Sequence, residues 1–293
     1  MKTRIIDGRA IANEIKEDLL QETKDLIAEN IIPRMAVLHI GEDPASLSYT
    51  KSIKRISTKL NIEVDVRKIE ETADDAYVID EIKNLNEDKN IHGILIQEPI
   101  PSSFNREKLL LSVSPLKDID CMNPVNLGRV MKGKFLFAPS TPLGVLKILE
   151  CENIDVEGKH IVIVGRSNIV GKPLANLFLI KEKNGNATVT VCHSKTRNLP
   201  FFTKMAEVLI VAIGNPGFIK CDMVKKGAVV IDVGINSVMD NEGKHKLVGD
   251  VDFEAVTGAV AYLTPVPGGV GPVTTMMLLS NLIKAVREKT VKS

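Results

Sequence analysis

The stretch His160-Ile-Val-Ile-Val-Gly165-Arg-Ser-Asn-Ile-Val-Gly171-Lys-Pro173 decides the fold. His160–Val164 is a short, nearly continuous apolar run, the pattern of a strand buried on both faces of a parallel sheet. A glycine closes it, a second glycine follows at 171, and helical periodicity begins near Pro173. Strand, glycine-bounded turn and helix in that order let a backbone approach a phosphate at a helix N-terminus, whose free N–H groups and dipole favour an anion. Ser167 stands where a Gly-x-Gly-x-x-Gly fingerprint has its middle glycine, so a glycine-tolerant turn with no ligand fits the local sequence equally well.

Working outward, Ala187–Cys192, Glu207–Ile213 and Ala228–Val233 repeat the buried-strand pattern. The first half alternates in the same way. Ala10–Asn30 reads as an amphipathic helix, Arg34–Ile40 as a strand, Ser46–Leu60 as a helix, and Ile62–Lys68 and Gly93–Gln97 as strands flanking a helix over Asp74–Asn86. The class expected is α/β: an N-terminal α/β domain over 1–140 and a C-terminal Rossmann-type parallel-sheet domain over 141–272. The boundary falls at the Pro139-Ser-Thr-Pro-Leu-Gly144 turn, and a last helix over 273–293 is expected to pack back on the first domain.

Composition narrows the function classes. The chain has 293 residues, 38 Lys plus Arg against 37 Asp plus Glu, and 44% hydrophobic residues. Near-neutral charge argues against nucleic acid as a partner, and apolar runs such as Val208–Ile213 are too short to span a membrane. The N-terminus lacks a secretory pattern, and four scattered cysteines form no CxxC pair, so a cytoplasmic, reducing setting is expected. The five histidines show no metal-ligand spacing, and no Gly-x-Ser-x-Gly elbow occurs.

Four further segments could carry chemistry. Cys192-His-Ser-Lys-Thr-Arg197 ends the second strand of the dinucleotide-type half without a carboxylate, which suits the 2′-phosphate of NADP rather than the bare ribose of NAD. A solvated polar loop is the plainer alternative. Tyr49 and Ile53 share a helix face, with Lys51 and Lys54 turned elsewhere; taken alone, the first pair reads as core and the lysines as a wet face. Gln97 ends an apolar strand, where polar residues often face a cleft, and Asp118-Ile-Asp120 reads more readily as a turn or cap than as a site. Thr264-Pro-Val-Pro-Gly-Gly-Val-Gly-Pro272 describes a rigid loop able to press against a flat ligand, a costly composition for a mere connector.

In order along the chain, Ile5-Ile-Asp-Gly8, Gly41-x-x-Pro44-Ala-Ser46-x-x-Tyr49, Gln97-x-Pro99-x-Pro101, Pro115-x-Lys-Asp118-x-Asp120, Pro139-x-Thr-Pro142-x-Gly144, Gly165-Arg-Ser-x-Ile-Val-Gly-x-Pro173, Cys192-His-Ser-Lys-Thr196, Asp232-Val-Gly-Ile-Asn236, Gly249-Asp-Val251 and the 264–272 loop closely resemble the bifunctional methylenetetrahydrofolate dehydrogenase/cyclohydrolase family. The resemblance implies two domains flanking a folate cleft, usually in a homodimer. It implies NADP at Gly165, Arg166, Ser167, Ser194 and Ile235, and catalytic residues Tyr49, Gln97 and Asp120. The folate would lie among those three and Pro267, Gly268, Gly269, Val270 and Gly271. The family oxidises 5,10-methylenetetrahydrofolate by hydride transfer to the nicotinamide, a step governed by positioning.

The sequence departs from the family at its second reaction, hydrolysis of the methenyl cation to 10-formyltetrahydrofolate. The family places a lysine four residues after the tyrosine; here that place is Ile53. Isoleucine neither donates nor accepts a proton, and losing such a group typically costs about 10²–10⁴-fold. Weak or absent cyclohydrolase activity is therefore expected, with Lys54 as the substitute a rewound helix would offer. The alternatives are a fully bifunctional enzyme using Lys54, a nucleotide- or folate-binding module without turnover, and another two-domain dehydrogenase of the amino-acid or shikimate type. Lesser departures are Ser140 for the usual Cys, Cys121 for Gly, and Glu98 for a small apolar residue.

Overall fold

The computed structural model describes residues 2–239 and 243–291. The elements run β1 (Arg4–Ile5), α1 (Gly8–Ala28), β2 (Arg34–Ile40), α2 (Pro44–Lys59), β3 (Glu63–Ile69), α3 (Asp75–Glu87), β4 (Gly93–Ile96), α4 (Arg106–Ser112), α5 (Pro124–Met131) and α6 (Ser140–Cys151). The second half continues with β5 (His160–Val164), α7 (Gly171–Leu179), β6 (Thr188–Cys192), α8 (Leu199–Thr203), β7 (Val208–Val211) and β8 (Val229–Asp232). It ends with β9 (Asn236–Met239), β10 (His245–Val248), α9 (Phe253–Val256), β11 (Tyr262–Leu263) and α10 (Val270–Val291). The fold is α/β, and the strands expected from continuous apolar runs form within a residue or two of their expected ends.

The chain divides into two compact units. One comprises residues 14–140 and 277–293 and holds a three-stranded parallel sheet in the order β3-β2-β4. Its strands run to a common C-terminal edge. α3 and α4 cover one face, burying Val78, Ile82, Leu85 and Leu109 against Ala36, Leu38, Ile40, Ile94 and Ile96. The 277–291 part of α10 belongs to this unit, where Asn281 Nδ2 donates to the Ile119 and Ala138 carbonyls at 2.8 and 2.9 Å.

The other unit comprises residues 1–13 and 141–276 and holds a six-stranded parallel sheet in the order β1-β11-β8-β7-β5-β6. This is a Rossmann-type arrangement: the first strand, β5, pairs with both β6 and β7, so strand order reverses beside it. Val162, Val164, Leu209, Val211 and Val230 lie in its core with Ile219, Val256 and Leu263.

Two features differ from the sequence reading. Residues 1–13 belong to the Rossmann-type unit rather than to the N-terminal domain, because β1 pairs with β11 and Ile6 N–H donates to the Leu263 carbonyl at 2.9 Å. α10 starts at Val270 rather than 273, so Val270, Gly271 and Pro272 form its first turn, where proline's missing N–H costs nothing.

Candidate active site

In the Rossmann-type unit the candidate residues gather at the C-terminal ends of β5 to β8. Gly165 has φ +132°, and a Cβ there would stand 2.3 Å from the Ala212 carbonyl oxygen; a Cβ on Gly171 would stand 2.2 Å from the Gly165 oxygen. Both glycines are therefore required by close backbone approach, which permits a phosphate cradle without proving one. Gly165 N–H donates to the Cys192 carbonyl at 2.9 Å, tying the turn after β5 to the turn after β6. Arg166 and Ser167 on the first turn, and Ser194, Lys195 and Arg197 on the second, are exposed. The second turn closes on itself: His193 N–H donates to Thr196 Oγ1 at 2.9 Å, and His193 Nδ1 accepts from Lys195 N–H at 3.1 Å. Ser167 Oγ accepts from Val170 N–H at 3.1 Å, and no side chain caps the N-terminus of α7.

Behind these turns stand two buried carboxylates to which the sequence reading gave no role. Asp250 accepts from the N–H groups of Ile213, Gly214 and Asn215 at 2.7, 3.0 and 2.8 Å, and from Asn236 Nδ2 at 2.9 Å. Asp232 accepts from the N–H groups of Gly234, Asp250 and Val251 at 3.0, 3.0 and 2.9 Å. Burial, only partly offset by these N–H bonds, raises Asp232 to about 6. The pair fixes the loops after β7 and β8 and so presents Ile235, which is 61% exposed. The signal for them was present in the two motifs Asp232-x-Gly234 and Gly249-Asp250, and the fold crosses them: Gly234 lies too close to the Asp250 carboxylate, and Gly249 too close to that of Asp232, for a side chain.

Ile235 borders a cavity of about 150 Å³ lined by Arg9, Gly234, Leu247 and residues 265–272. A Cβ on Gly8 would lie 1.8 Å from the Gly269 carbonyl oxygen, so Asp7-Gly8 braces the 264–272 loop; Asp7 also caps α1 through the N–H groups of Arg9 and Ala10. Pro267 is exposed, Gly268 has φ +107°, and Gly269 and Val270 are buried.

In the other unit, Tyr49, Gln97 and Asp120 approach the C-terminal edge of the smaller sheet by three routes. Asp43 caps α2 by accepting from Ser46 N–H at 2.8 Å, and Ser46 Oγ lies 2.8 Å from the Glu98 carbonyl oxygen. That contact holds the first turns of α2, and half-buried Tyr49 with them, at the end of β4. Gln97 follows β4 directly and donates from Nε2 to the same Glu98 carbonyl at 2.9 Å. A bridge between Ile94 and Asp118 brings this segment against β4, and Asp120 follows in the turn closed by Cys121 N–H on the Asp118 carbonyl at 3.1 Å.

The two aspartates of Asp118-Ile-Asp120 separate in kind. Asp118 is a buried cap, accepting from Met122 N–H, Asn123 N–H and Asn126 Nδ2 at 2.9, 2.9 and 2.8 Å. Among the described residues Asp120 accepts from Ser140 alone, from its Oγ at 2.7 Å and from its backbone N–H. Burial pushes its carboxyl up to about 6, with Asp118 and Glu98 adding to the rise and Ser140 opposing it. Ser140, noted only as a departure, is thus a partner of the candidate group. Cys121 is buried in the left-handed region (φ +56°), a conformation glycine adopts freely. Glu98 is engaged, its Oε1 accepting from Arg106 Nε at 2.7 Å and its Oε2 from Ile100 N–H at 3.1 Å.

Ile53 is completely buried. Lys54 is exposed and borders a cavity of about 690 Å³ with Arg34, Thr58, Asn61 and Glu63, toward the far end of α2. Among the described residues no cluster of three potential metal ligands occurs, and no helix is long and apolar enough to cross a membrane.

Comparison with known proteins divides the chain near the same 140/141 junction, although its bounds take residues 6–13 with the first part and 277–290 with the second, where the fold exchanges them. The family model described as tetrahydrofolate dehydrogenase/cyclohydrolase, NAD(P)-binding domain, matches residues 139–290, and the catalytic-domain model of that family matches residues 6–120. The bifunctional protein FolD of Caldanaerobacter subterraneus is 46% identical over 285 residues, covering 97% of each chain. Among solved structures, the FolD methylenetetrahydrofolate dehydrogenase/cyclohydrolase of Campylobacter jejuni superposes with a TM-score of 0.93 at 41% identity, over 98% of this chain and 99% of that one. The Trypanosoma brucei dehydrogenase-cyclohydrolase, solved with NADP cofactor and an inhibitor, superposes at 0.93 with 32% identity over the full length of both chains.

Proposed function

Because this chain belongs to the tetrahydrofolate dehydrogenase/cyclohydrolase family, we propose that it oxidises 5,10-methylenetetrahydrofolate with NADP and hydrolyses the methenyl product slowly or not at all. NADP, when bound, accepts the hydride. The residues present suit it: Gly165 offers bare backbone, and exposed Arg166 and Ser194 on tied turns offer donors for a 2′-phosphate, with no carboxylate between 193 and 197. Ser167 and Ile235 complete this side. Tyr49 stacks on the folate's aromatic part, and Asp120 accepts from its pterin edge. Gln97 confines the ring on this side, and residues 267–271 are the loop that the family resemblance assigns to the folate. Confinement is the main demand of a hydride transfer, and Gln97, Asp120 and the 264–272 loop are each held against a neighbour, the Glu98 carbonyl, Ser140 and Gly8 in turn.

One observation carries the restriction to oxidation: the position four residues after Tyr49 is a hydrocarbon with no exposure at all. Lys54 is turned to another surface, so it supports substitution poorly. The opposing reading, full bifunctionality, draws on relatives that are named bifunctional at 46% identity. Supplying methylenetetrahydrofolate and NADP and recording NADPH, methenyl and formyl products separately decides between them. Methenyl build-up without formyl product is expected; rapid formyl production rejects the restriction, and no NADPH rejects the function. A homodimer, implied by the family resemblance, and a cytoplasmic setting, expected from the scattered cysteines, belong to the same reading.

A further inference from the structure

The layer between α2 and the smaller sheet is not uniformly apolar. Sheet order β3-β2-β4 with right-handed crossovers puts α2 and α3 on opposite faces. α3 and α4 cover the face bearing Leu38, Ile40 and Ile96, so alternation places Val37, His39, Leu95 and Gln97 beneath α2. The register pairs Val37 with Leu95, and Gln97 N–H donates to the Leu38 carbonyl at 2.9 Å. His39 and Gln97 are therefore cross-strand neighbours at the C-terminal edge. From the helix, Thr50, Ile53 and Ser57 share one stripe, three and four residues apart, all 5% exposed or less.

Of this set only Ile53 is content in a dry layer. Both ring nitrogens of His39, Thr50 Oγ1, Ser57 Oγ and Gln97 Oε1 are buried with no protein partner. His39 is 2% exposed and Gln97 8%. The orientation of Gln97 is fixed, since Nε2 is committed to the Glu98 carbonyl that also meets Ser46. Its Oε1 is therefore left buried without a protein donor. Native interiors rarely leave such groups unmet, and where direct partners are missing an internal water supplies them.

We propose that His39 is a positioning residue for Gln97: the two hold one internal water between them, which accepts from an imidazole N–H and donates to Gln97 Oε1. The ring thus anchors from behind the carboxamide that the proposed function places against the folate, and the inference rests on that reading for its kinetic effect. His39 acts on the substrate only through Gln97.

The test is a double-variant cycle on the full chain, following NADP-dependent oxidation of methylenetetrahydrofolate. His39→Leu should raise KM for the folate about tenfold, one hydrogen bond's worth of ordering, with KM for NADP unchanged and thermal stability unchanged or higher. His39→Gln, which keeps a donor and an acceptor, should recover most of the loss. His39→Leu combined with Gln97→Leu should be no worse than Gln97→Leu alone. Additive losses, or wild-type kinetics in His39→Leu, overturn the proposal while leaving the oxidation reading intact. A high-resolution crystal structure gives a readout independent of activity: ordered water bonded to both side chains supports the proposal, and a dry layer overturns it. Absence of any folate oxidation by the unmodified protein, with that water present, rejects the functional reading alone.

Discussion

The main-chain N–H of Asp250 donates to the carboxylate of Asp232 at 3.0 Å, while the carboxylate of Asp250 gathers the loops that follow β7 and β8. Two acids are tolerated side by side because backbone and amide N–H groups, rather than cations, surround them. Asp250→Asn would turn an amide N–H₂ toward N–H donors and leave at least one unmet, at a cost of about 1–3 kcal/mol. The expected outcome is a lower thermal midpoint and a raised KM for NADP. Gly249→Ala, whose Cβ would lie 1.8 Å from Asp232 Oδ2, should be more damaging still. Wild-type stability in both variants would show that the loops do not depend on this pair.

Asp120 titrates near 6 in the folded protein against 3.8 ordinarily. Between those values the fold keeps a proton that the unfolded chain has released. Its contribution to stability is therefore complete in acid and fades as pH rises toward 6, opposite in sense to an ion-paired carboxylate. Under the proposed function binding runs the other way, because it is the ionised form that would accept pterin N–H groups. KM for the folate should fall roughly tenfold per unit as pH approaches 6 from below and then level. In Asp120→Asn the KM should be high and flat; an unchanged bend there would assign the titration to another group.

Ile53→Lys restores the missing amine beside Gln97. Formyl product should increase by about 10²-fold or more, with methenyl no longer accumulating. Burying a lysine at a wholly enclosed position should also lower the thermal midpoint. A folded variant that binds folate yet yields no formyl product would show that position 53 does not set the outcome.

Arg166→Ala and Ser194→Ala should each raise KM for NADP about ten- to hundredfold while leaving KM for NAD little changed, since only the former carries the phosphate they meet. Equal losses for both cofactors would place these side chains elsewhere in the site.

The two parallel sheets were legible because parallel strands buried on both faces leave continuous apolar runs, as at His160–Val164 and Val208–Val211. β1 was not, since a two-residue strand such as Arg4–Ile5 has no period and is created by its partner, β11. The first turn of α10 was hidden because Gly-Val-Gly-Pro reads as loop until a proline is recognised in its one welcome helical place. At the site, the glycines and strand-end polar residues announced themselves, and the family resemblance gave them roles. His39 did not, because one imidazole within Met35–Ile40 looks like a lapse in a core strand until its neighbour's unmet oxygen is seen. Asp232 and Asp250 were visible as motifs but mute as to purpose, because what they grip is backbone, which the letters do not spell.

The pairing of β1 with β11, and the seat of Gly8 against Gly269, have a practical consequence for dissecting the molecule. Truncating the gene at the 140/141 junction would strip the nucleotide-side piece of an edge strand and of the brace under its proline loop. Splitting α10 from 277 onward would likewise deprive the folate-side piece of Asn281's two carbonyl anchors. Fragments made by a single scission at either place should be insoluble, because each piece loses contacts that hold its own sheet or loop in place.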